Sequence, residues 1–600
     1  MQEEQRLNQQ KVLLTAINAK YIHSNLAVYS LKANAGAFAE EIRIAEYTIN
    51  HQRQEILQGI YRHAPEILGF SCYIWNIETV LAVAEDIKKV LPEVKILLGG
   101  PEVSYDAAPV MERCPFVDAV MVGEGERVFR AFLERYYGEA DGESWKELPG
   151  ICARQNGKPC LNPPGAPMDM DELVFPYRDV NGLDNRIVYY ETMRGCPFSC
   201  SYCLSSVEKS VRMKSLSLVF EEIRFFLEHR VRQVKFVDRT FNCSHEHAYG
   251  IWEFIGEHDN GVTNFHFEIG GDLLREEDFE LLRKFRPGLV QFEIGVQSTN
   301  PETITRIRRK MNLGRLWENV ERVRTGHNIH QHLDLIAGLP GEDYESFHRS
   351  FNDVYKARPE QLQLGFLKIL KGSFMEEAKG EYGIQYSVQP PYEVLSTNWL
   401  SYDDILRLKQ VEEMVEIYYN SYQFPASMVL LELCRGDAFR MYEQLAGYYE
   451  RHGYFDRKHS RHARYEILWD YICESFPERR DDFRQTLTYD LYLRDYDKNP
   501  PAFVRRREEA YLTAVKAFFD REMQNPKYLQ EYKGYQTKQL VHMVYVDEFT
   551  LNMDILIEEK RVEVLPPYSL LFDYRQRNPL NHSAKTIKSC LHSECRAGAR

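Results

Sequence analysis

The chain has no uninterrupted apolar stretch near the roughly 18 to 20 residues that a membrane-crossing helix requires, so none of its 600 residues suggests a span. It also lacks a basic surplus. Its 75 lysines and arginines face 89 aspartates and glutamates, for a formal charge of −14 and a pI near 5.8. A protein that coats nucleic acid non-specifically needs the opposite balance, although a local basic groove remains compatible with it. Cysteine is sparse and irregular, 12 in all; no disulfide framework is written in the spacing, and a reducing cytoplasm is the expected compartment. Met1 to Gln10 is polar and charged, so no secretory signal is expected ahead of the first apolar run. No internal repeat is found. What remains is ordinary globular composition, 44% hydrophobic and 27% charged, in a chain long enough for about three domains.

One stretch departs from that background. Arg194-Gly195-Cys196-Pro197-Phe198-Ser199-Cys200-Ser201-Tyr202-Cys203 sets three cysteines at i, i+4 and i+7. The set is too local for a disulfide framework and suits three thiolates converging on one iron–sulfur cluster from a single loop. Three thiolates on a four-iron cluster leave one iron free to bind a substrate. Gly195 and Pro197 are loop formers, and the stretch follows a strand-like segment at 187–192. A structural zinc site on the same cysteines is the competing reading, and it predicts a colourless protein.

Residues 11 to about 137 alternate short apolar runs with helical periodicity. Strands are predicted over 12–17, 42–47, 67–72, 94–98 and 117–122, with helices over 26–38, 77–91 and 126–137. Such β–α units predict a doubly wound parallel sheet covered on both faces, with a ligand crevice outside the strand C-termini. The loops at that edge carry Ser71, Tyr73 and Trp75, then Gly99-Gly100-Pro101-Glu102, then Gly123-Glu124-Gly125-Glu126. Glycine there lets a backbone approach something bulky, although it is also ordinary turn chemistry. Residues 138–176 are rich in Gly, Pro and polar side chains and read as a linker. A small hairpin turns in it at Asn156-Gly157, with Cys152 and Cys160 incidental.

A second β/α series follows. Strands are predicted over 187–192, 233–238, 264–269, 289–295, 332–337 and 361–368, with helices such as 218–229, 276–285 and 344–357. Six strands fall short of the eight of a closed barrel, which predicts a partial (β/α)6 barrel with the cysteine loop on its C-terminal rim. The other strand ends are polar or glycine-rich: Asp238-Arg239-Thr240-Phe241-Asn242, Glu268-Ile269-Gly270-Gly271-Asp272, Gly295-Val296-Gln297-Ser298 and Gly338-Leu339-Pro340-Gly341-Glu342. A carboxylate there can hold an ammonium group or ribose hydroxyls. Helix capping is the plain alternative for each.

From Phe374 on, helical patterns cover 402–419, 425–445, 461–476 and 502–525, and strand-like runs cover 541–546, 556–564 and 569–572. No catalytic motif appears, and tyrosine and phenylalanine at helical spacing read as core. The runs Arg308-Arg309-Lys310 and Arg505-Arg506-Arg507 read as solvated faces. Cys590, His592 and Cys595 have a spacing conceivable for a metal, but chance ligands in a basic terminus are the expected reading.

The segment Cys196 to Cys203 resembles the CxxxCxΦC loop of radical S-adenosylmethionine enzymes, and the strand ends through Gly338-Leu339-Pro340-Gly341-Glu342 resemble the rest of that barrel. The preceding module, with Gly99-Gly100-Pro101 and Gly123-Glu124-Gly125-Glu126, resembles the cobalamin-binding domain of the cobalamin-dependent branch. The C-terminal region resembles an uncharacterised domain appended to such enzymes. The resemblance implies an α/β chain with a doubly wound (Rossmann-like) cobalamin-binding domain at 1–140 and a linker with a hairpin at 141–185. A radical SAM core at 186–373 and a mainly helical domain at 374–600 follow.

The resemblance also implies chemistry. Cys196, Cys200 and Cys203 would hold a [4Fe–4S] cluster whose open iron chelates S-adenosylmethionine, reductively cleaved to a 5′-deoxyadenosyl radical. The implied S-adenosylmethionine positions are Tyr202, Asp238, Thr240, Glu268, Gln297, Ser298 and Gly338. Tyr202 would lie by the adenine, Asp238 and Thr240 at the methionyl amino group, and Glu268 at the ribose. Ser71, Tyr73, Trp75, Gly99, Gly100, Glu124, Gly125 and Glu126 are the implied cobalamin contacts. The implied activity is methyl transfer from methylcobalamin to an unactivated carbon, fed by an electron donor of flavodoxin or ferredoxin type. No catalytic side chain or oligomeric state is assigned, and the substrate stays open among small molecule, peptide and RNA. A non-methylating rearrangement or cyclisation, tRNA modification, and a non-catalytic cluster and cobalamin sensor stay as alternatives.

One departure has a consequence for cobalt. Cobalamin domains that ligate the metal through histidine use Asp-x-His-x-x-Gly after the first strand. Here His23 lies in Tyr21-Ile22-His23-Ser24-Asn25-Leu26, without the Asp that would polarise its second nitrogen and without the Gly. His245-Glu246-His247-Ala248-Tyr249-Gly250 contains His-x-x-Gly, but in the wrong domain. No histidine is therefore expected on the cobalt. The electron paramagnetic resonance spectrum of the cob(II)alamin-loaded protein is expected to show no nitrogen superhyperfine splitting, and a split spectrum would overturn this.

Overall fold

The run Val12–Asn18 has every one of its seven side chains buried. A strand that buries both faces belongs in the middle of a sheet covered on both sides. In the computed structural model, which describes residues 11–138, 143–178 and 180–589, this strand (β1) lies between β2 (Ile42–Thr48) and β3 (Ile67–Ser71). The sheet continues through β4 (Lys95–Gly99) and β5 (Ala119–Met121), all parallel. Its side chains alternate between two cores. Leu13, Ile17, Leu68 and Phe70 join Val80, Ile87 and Val110 on one face. Val12, Leu14, Ala16 and Ile67 join Val28, Phe129, Phe132 and Trp145 on the other.

The hairpin expected inside the linker is part of this sheet. β6 (Ile151–Gln155) runs antiparallel to β5, pairing Met121 with Ile151, and β7 (Lys158–Leu161) closes the edge of a seven-stranded sheet. Cys152 is accordingly a core residue rather than an incidental one. The three-residue β5 is extended by the buried run Ile151, Cys152 and Ala153, whose side chains enter both cores.

The second sheet follows chain order: β8 (Ile187–Tyr190), β11 (Gln233–Phe236), β12 (Asn264–Glu268), β13 (Val290–Gln297), β14 (His330–Ala337) and β15 (Gln361–Phe366). Its strands from β8 to β14 are parallel. Between β8 and β11 the chain makes a two-stranded ribbon, β9 (Met193–Arg194) with β10 (Arg212–Met213). Residues 1–343 with 365–402 form one compact unit, and residues 344–364 with 403–600 form another. Met1 to Gln10, Cys590, His592 and Cys595 lie outside the described residues. No helix among the described residues is long and apolar enough to cross a membrane.

The second unit is mainly helical, with two departures from the expected pattern. The helix expected over 425–445 is two helices, Pro425–Arg435 and Ala438–Arg451. Gly436 takes the left-handed conformation that ends the first, and the Asp437 side chain accepts from Arg440 N at 2.9 Å to start the second. The strand expected over 556–564 begins instead on a helix, Met553–Glu559, and continues as a connection until Val564 starts a strand. A three-stranded antiparallel sheet is formed instead by Val544–Leu551, Val564–Arg577 and Ala584–Ser589.

Asp490 anchors this unit. It is 1% exposed and accepts from Ala426 N and Ser427 N, both at 2.9 Å, so a neighbouring helix satisfies first-turn amides of Pro425–Arg435. Burial pushes its carboxyl up to about 7, against the pull of those amides. Between about pH 4 and 7 the folded chain holds a proton that the unfolded chain has released, so stability falls as pH rises through that window. Asp490→Asn is expected to remove this slope, measured as apparent melting temperature across pH 5 to 8. Asp490→Ala is expected to cost about 2 kcal/mol at neutral pH by stranding the two amides.

Candidate functional site

The cysteine loop is shaped by its own backbone. Gly195 stands at φ +88, and a Cβ there would come within 2.2 Å of the Ser210 carbonyl oxygen, so no larger residue fits. Past it, Cys196 N donates to Glu208 O at 3.0 Å, Cys203 N to Cys200 O at 3.2 Å, and Ser201 N to Ile307 O at 2.9 Å. Met375 N donates to Ser201 O at 2.9 Å. Lys209 Nζ holds Phe198 O at 2.6 Å and Ser199 Oγ at 3.0 Å. Cys196 and Cys200 are buried, Cys203 is half-buried, and none of the three is in a disulfide. Three free thiols on one pinned loop fit a thiolate-ligated cluster.

The strand-end residues divide into two groups. Asp238 does not face outward: it is 1% exposed, and its Oδ1 accepts from Thr192 N at 2.9 Å, Thr192 Oγ1 at 3.1 Å and Met193 N. Burial, with Glu191 nearby, pushes its carboxyl up to about 7 against those donors. It braces the neck of the cysteine loop through Oδ1, while its buried Oδ2 makes no hydrogen bond. Ser298 is likewise fully buried, donating to Glu342 Oε1 at 2.7 Å. It ties two loops together instead of lining a site.

The second group lies beside the cysteines. Thr240 Oγ1 stands 3.9 Å from Cys196 Sγ. Tyr202 receives a hydrogen bond from Arg309 Nη1 at 3.2 Å, and the same nitrogen is 3.7 Å from Cys200 Sγ. Arg309 also donates to Gly295 O. Glu268 is paired with Arg239 at 3.6 Å and Lys235 at 3.9 Å, and burial together with Glu293 keeps its carboxyl above the usual range. Gln297 sits at φ +70 at a register shift in β13, with Oε1 buried and unbonded. Gly338 lies at φ +91, against Val394.

Arg309 corrects an expectation. Of the run Arg308-Arg309-Lys310, read as solvated, Arg308 packs 3.4 Å from the centre of the Phe374 ring and Arg309 points at the cysteine loop. In the second unit, Arg507 of the other basic run lies 4.1 Å over Tyr545 and 3.3 Å from Asp547. Charge runs read from spacing alone cannot show which member turns inward.

The first sheet presents its glycines at the strand ends as expected. Gly100 has φ +115, with the Cys72 carbonyl oxygen 2.5 Å from where a Cβ would stand. A cavity of about 140 Å³ opens among Leu14, Gly69, Ser71, Gly99, Gly123 and Gly125. Ser71 is buried under Asn25, 3.2 Å from its amide. Tyr73 and Trp75 stack at 4.5 Å, and Trp75 Nε1 donates to Ile17 O at 3.2 Å. Burial pushes the Tyr73 hydroxyl up to about 12.

Glu124 and Glu126 are both committed to ion pairs, and of the two only Glu126 lines the cavity. Glu126 is buried, bonded to Ser30 Oγ at 2.8 Å and Arg194 at 2.7 Å. Burial would raise its carboxyl, but Arg194 and Ser30 hold it below the usual range. Glu124 meets Arg194 at 3.2 Å and Arg212 more closely, and Glu191 completes the group at 2.9 Å from Arg194. Sequence reasoning missed both arginines. The available signal was their place, one immediately before Gly195-Cys196 and one where the loop returns.

A thiol loop on the rim of a partial β/α barrel, strapped to a doubly wound domain with a glycine-lined cavity, defines a two-cofactor α/β protein. Residues 190–354 match the Radical SAM superfamily, residues 12–133 the B12 binding domain, and residues 380–571 a protein of unknown function family, DUF4080. Three family models thus match in succession along the chain, B12 binding, Radical SAM and DUF4080. It is similar to the cobalamin-dependent radical SAM methyltransferase TokK of Streptomyces tokunonensis, 27% identical over 55% of this chain and 51% of the relative. It is also similar to hopanoid C-3 methylase of Methylococcus capsulatus, 27% identical over 51% of this chain and 59% of the relative. The chain spans about half the length of these curated relatives. In fold it is similar to the cobalamin-dependent S-adenosylmethionine radical enzyme OxsB, with TM-score 0.54 and 13% identity over 81% of this chain and 80% of the other. The methyltransferase TsrM of Kitasatospora setae gives TM-score 0.52 at 15% identity, over 63% of this chain and 79% of the other.

Gly195→Ala is expected to dislodge the loop without unfolding either sheet, since the added carbon meets a carbonyl oxygen at 2.2 Å. Iron and sulfide per purified chain should fall by at least about half while far-ultraviolet circular dichroism is retained, the clash at a left-handed position costing a few kcal/mol locally. Wild-type iron content in this variant would overturn the account.

Proposed function

We propose that this chain is a cobalamin-dependent radical S-adenosylmethionine enzyme, and within that class a methyltransferase acting on an unactivated carbon. The observation that carries the reading is the shared frame of the two sites: the residue before Gly195-Cys196 is Arg194, and its guanidinium is fixed at 2.7 Å to Glu126, beside the glycine-lined cavity. When bound, the cluster with S-adenosylmethionine would supply one-electron bond cleavage, and cobalamin a transferable methyl group.

In this reading Cys196, Cys200 and Cys203 are the cluster ligands, and Thr240 lies next to the first of them. Arg309 places a positive charge beside Cys200 and fixes the Tyr202 ring, offsetting the negative charge of a thiolate-ligated cluster. Asp238 holds the loop neck, and Glu268 with Arg239 offers a charged pair at the next strand end. Gly99, Gly100 and Gly125 leave room along the cavity, while the Tyr73–Trp75 stack forms a flat apolar wall at its edge. No histidine is among the residues lining the cavity, which supports a cobalt without a histidine ligand. Reducing electrons would come from a flavodoxin- or ferredoxin-type donor, in a cytoplasmic setting. Of the domain limits proposed from the sequence, 1–140, 141–185, 186–373 and 374–600, the first is extended by the hairpin at 151–161, and the compact first unit runs on past 373 to 402.

Incubation of the reduced, cluster-loaded and cobalamin-loaded protein with S-adenosylmethionine is expected to yield 5′-deoxyadenosine and S-adenosylhomocysteine. Alanine at Cys196, Cys200 or Cys203 should abolish both. Absence of both products from a protein with full cluster and cobalamin would overturn the enzyme reading in favour of a sensor.

A further inference from the structure

The second sheet carries a polar face of which the proposed reaction uses only Glu268. In β11 to β14 alternate residues are buried and mostly apolar, and the intervening positions include Lys235, His266, Glu268, Glu293, His332 and Asp334. Strand register sets Lys235 beside His266, Glu268 beside Glu293, Glu293 beside His332, and Asp334 beside Gly295. One ligand atom each from Glu293, His332 and Asp334 fall within 4.8 Å of one another.

Two features of this cluster point to a bound cation. The first is charge. Lys235 Nζ lies 2.8 Å from Glu293 and 3.9 Å from Glu268, and Arg239 lies 3.6 Å from Glu268. These two cations face three carboxylates, and the carboxylate left over is Asp334, whose ion-pair neighbour is the imidazole of His332 at 3.0 Å. The second is alignment. His332 Nε2 and Asp334 Oδ1 stand 3.0 Å apart, and His266 Nε2 lies 2.9 Å from Glu293 Oε2, both close contacts but poorly aligned for an N–H···O bond. His332 is 7% exposed, so water does not satisfy it from outside. Donor atoms that approach one another without an N–H pointing along the line are arranged as ligands around a common centre. For bonds of about 2.0–2.2 Å to zinc, adjacent donors stand roughly 3 Å apart.

We propose that Glu293, His332 and Asp334 bind a divalent transition-metal ion of the zinc or iron(II) type. Two carboxylates and one imidazole form a mixed oxygen and nitrogen set suited to such ions. The Glu293 and Asp334 side chains keep 21% and 14% of their exposure, so the site is closed on the His332 side and open on the other. Three protein ligands with an open side leave coordination positions for a heteroatom of a substrate, as catalytic sites do and structural ones do not. The ion would orient a substrate oxygen or nitrogen on the polar face of the barrel sheet. The competing arrangement is a protonated His332 paired with Asp334 and no metal at all.

Zinc(II) is the probe. Full-length protein equilibrated with buffered zinc and then freed of excess is expected to retain one zinc per chain by mass spectrometry that His332→Ala and Asp334→Asn both lose. Iron and cobalamin content of the two variants should equal that of the wild type, which shows that the fold survives and makes the readout independent of turnover. Cys590→Ser/Cys595→Ser should keep the zinc, separating this site from the chain terminus. Zinc at the cysteine loop would persist in both site variants, so equal zinc in wild type, His332→Ala and Asp334→Asn would overturn the proposal. Loss of the zinc in the double serine variant, or no retained zinc in the wild type, would overturn it equally.

Discussion

The placement of the cysteine loop depends on one buried cation. Arg194 takes carboxylates from Glu191 on its own strand end and from Glu124 and Glu126 at the start of a helix in the first sheet's domain. Buried ion pairs are weak evidence for stability, because desolvation consumes most of the Coulombic gain, but a network missing one member leaves a charge stranded at several kcal/mol. Such a group tolerates one geometry and penalises near misses. Its effect here is positional: the helix N-terminus lining the glycine cavity and the first residue of the thiol loop are held by the same guanidinium.

The carboxylates of the barrel show how differently one side chain type can be used. Asp238 is turned back into the protein, where main-chain donors of residues 192 and 193 take one oxygen. Glu293, on the polar face, is held well below the usual range by His266 and Lys235 despite burial that acts the other way. Asp334 is raised by burial, and His332 pulls it back only in part. Three acids within one sheet and its neck are therefore pushed in different directions by their surroundings. The cause is the set of donors each meets, not its position at a strand end.

The sequence was most readable where local pattern and tertiary demand coincide. The run Val12–Ile17, apolar but for Thr15, reads as a central strand, and the tight cysteine spacing could only be a local ligand set or chance. It was least readable where a side chain's direction decides its role. Asp238 and Ser298 occupy strand ends as anticipated, yet both point inward, and nothing in the adjacent residues signals it. Arg309 differs from Arg308 by one position on a turn, and only folding shows which of them meets Cys200. The polar face of β11 to β14 was visible as alternation in Gln291, Glu293 and Gly295, but the strand ends drew attention away from strand middles. The division at Gly436-Asp437 was legible as a stop followed by a start, and the apolar run on both sides obscured it.

The ribbon pairing Arg194 with Arg212 closes the cysteine loop at its neck. Residues 195–211 are thus a tethered ring whose closing entropy is met by backbone pairing, ion pairs and the contacts to Ile307 and Met375. Small zinc modules differ, since there the metal itself closes the chain and the apo form is unfolded. A loop closed by the pairing of Arg194 with Arg212 has its three thiols placed by contacts the thiols do not make themselves, so a change at the ribbon displaces all three together.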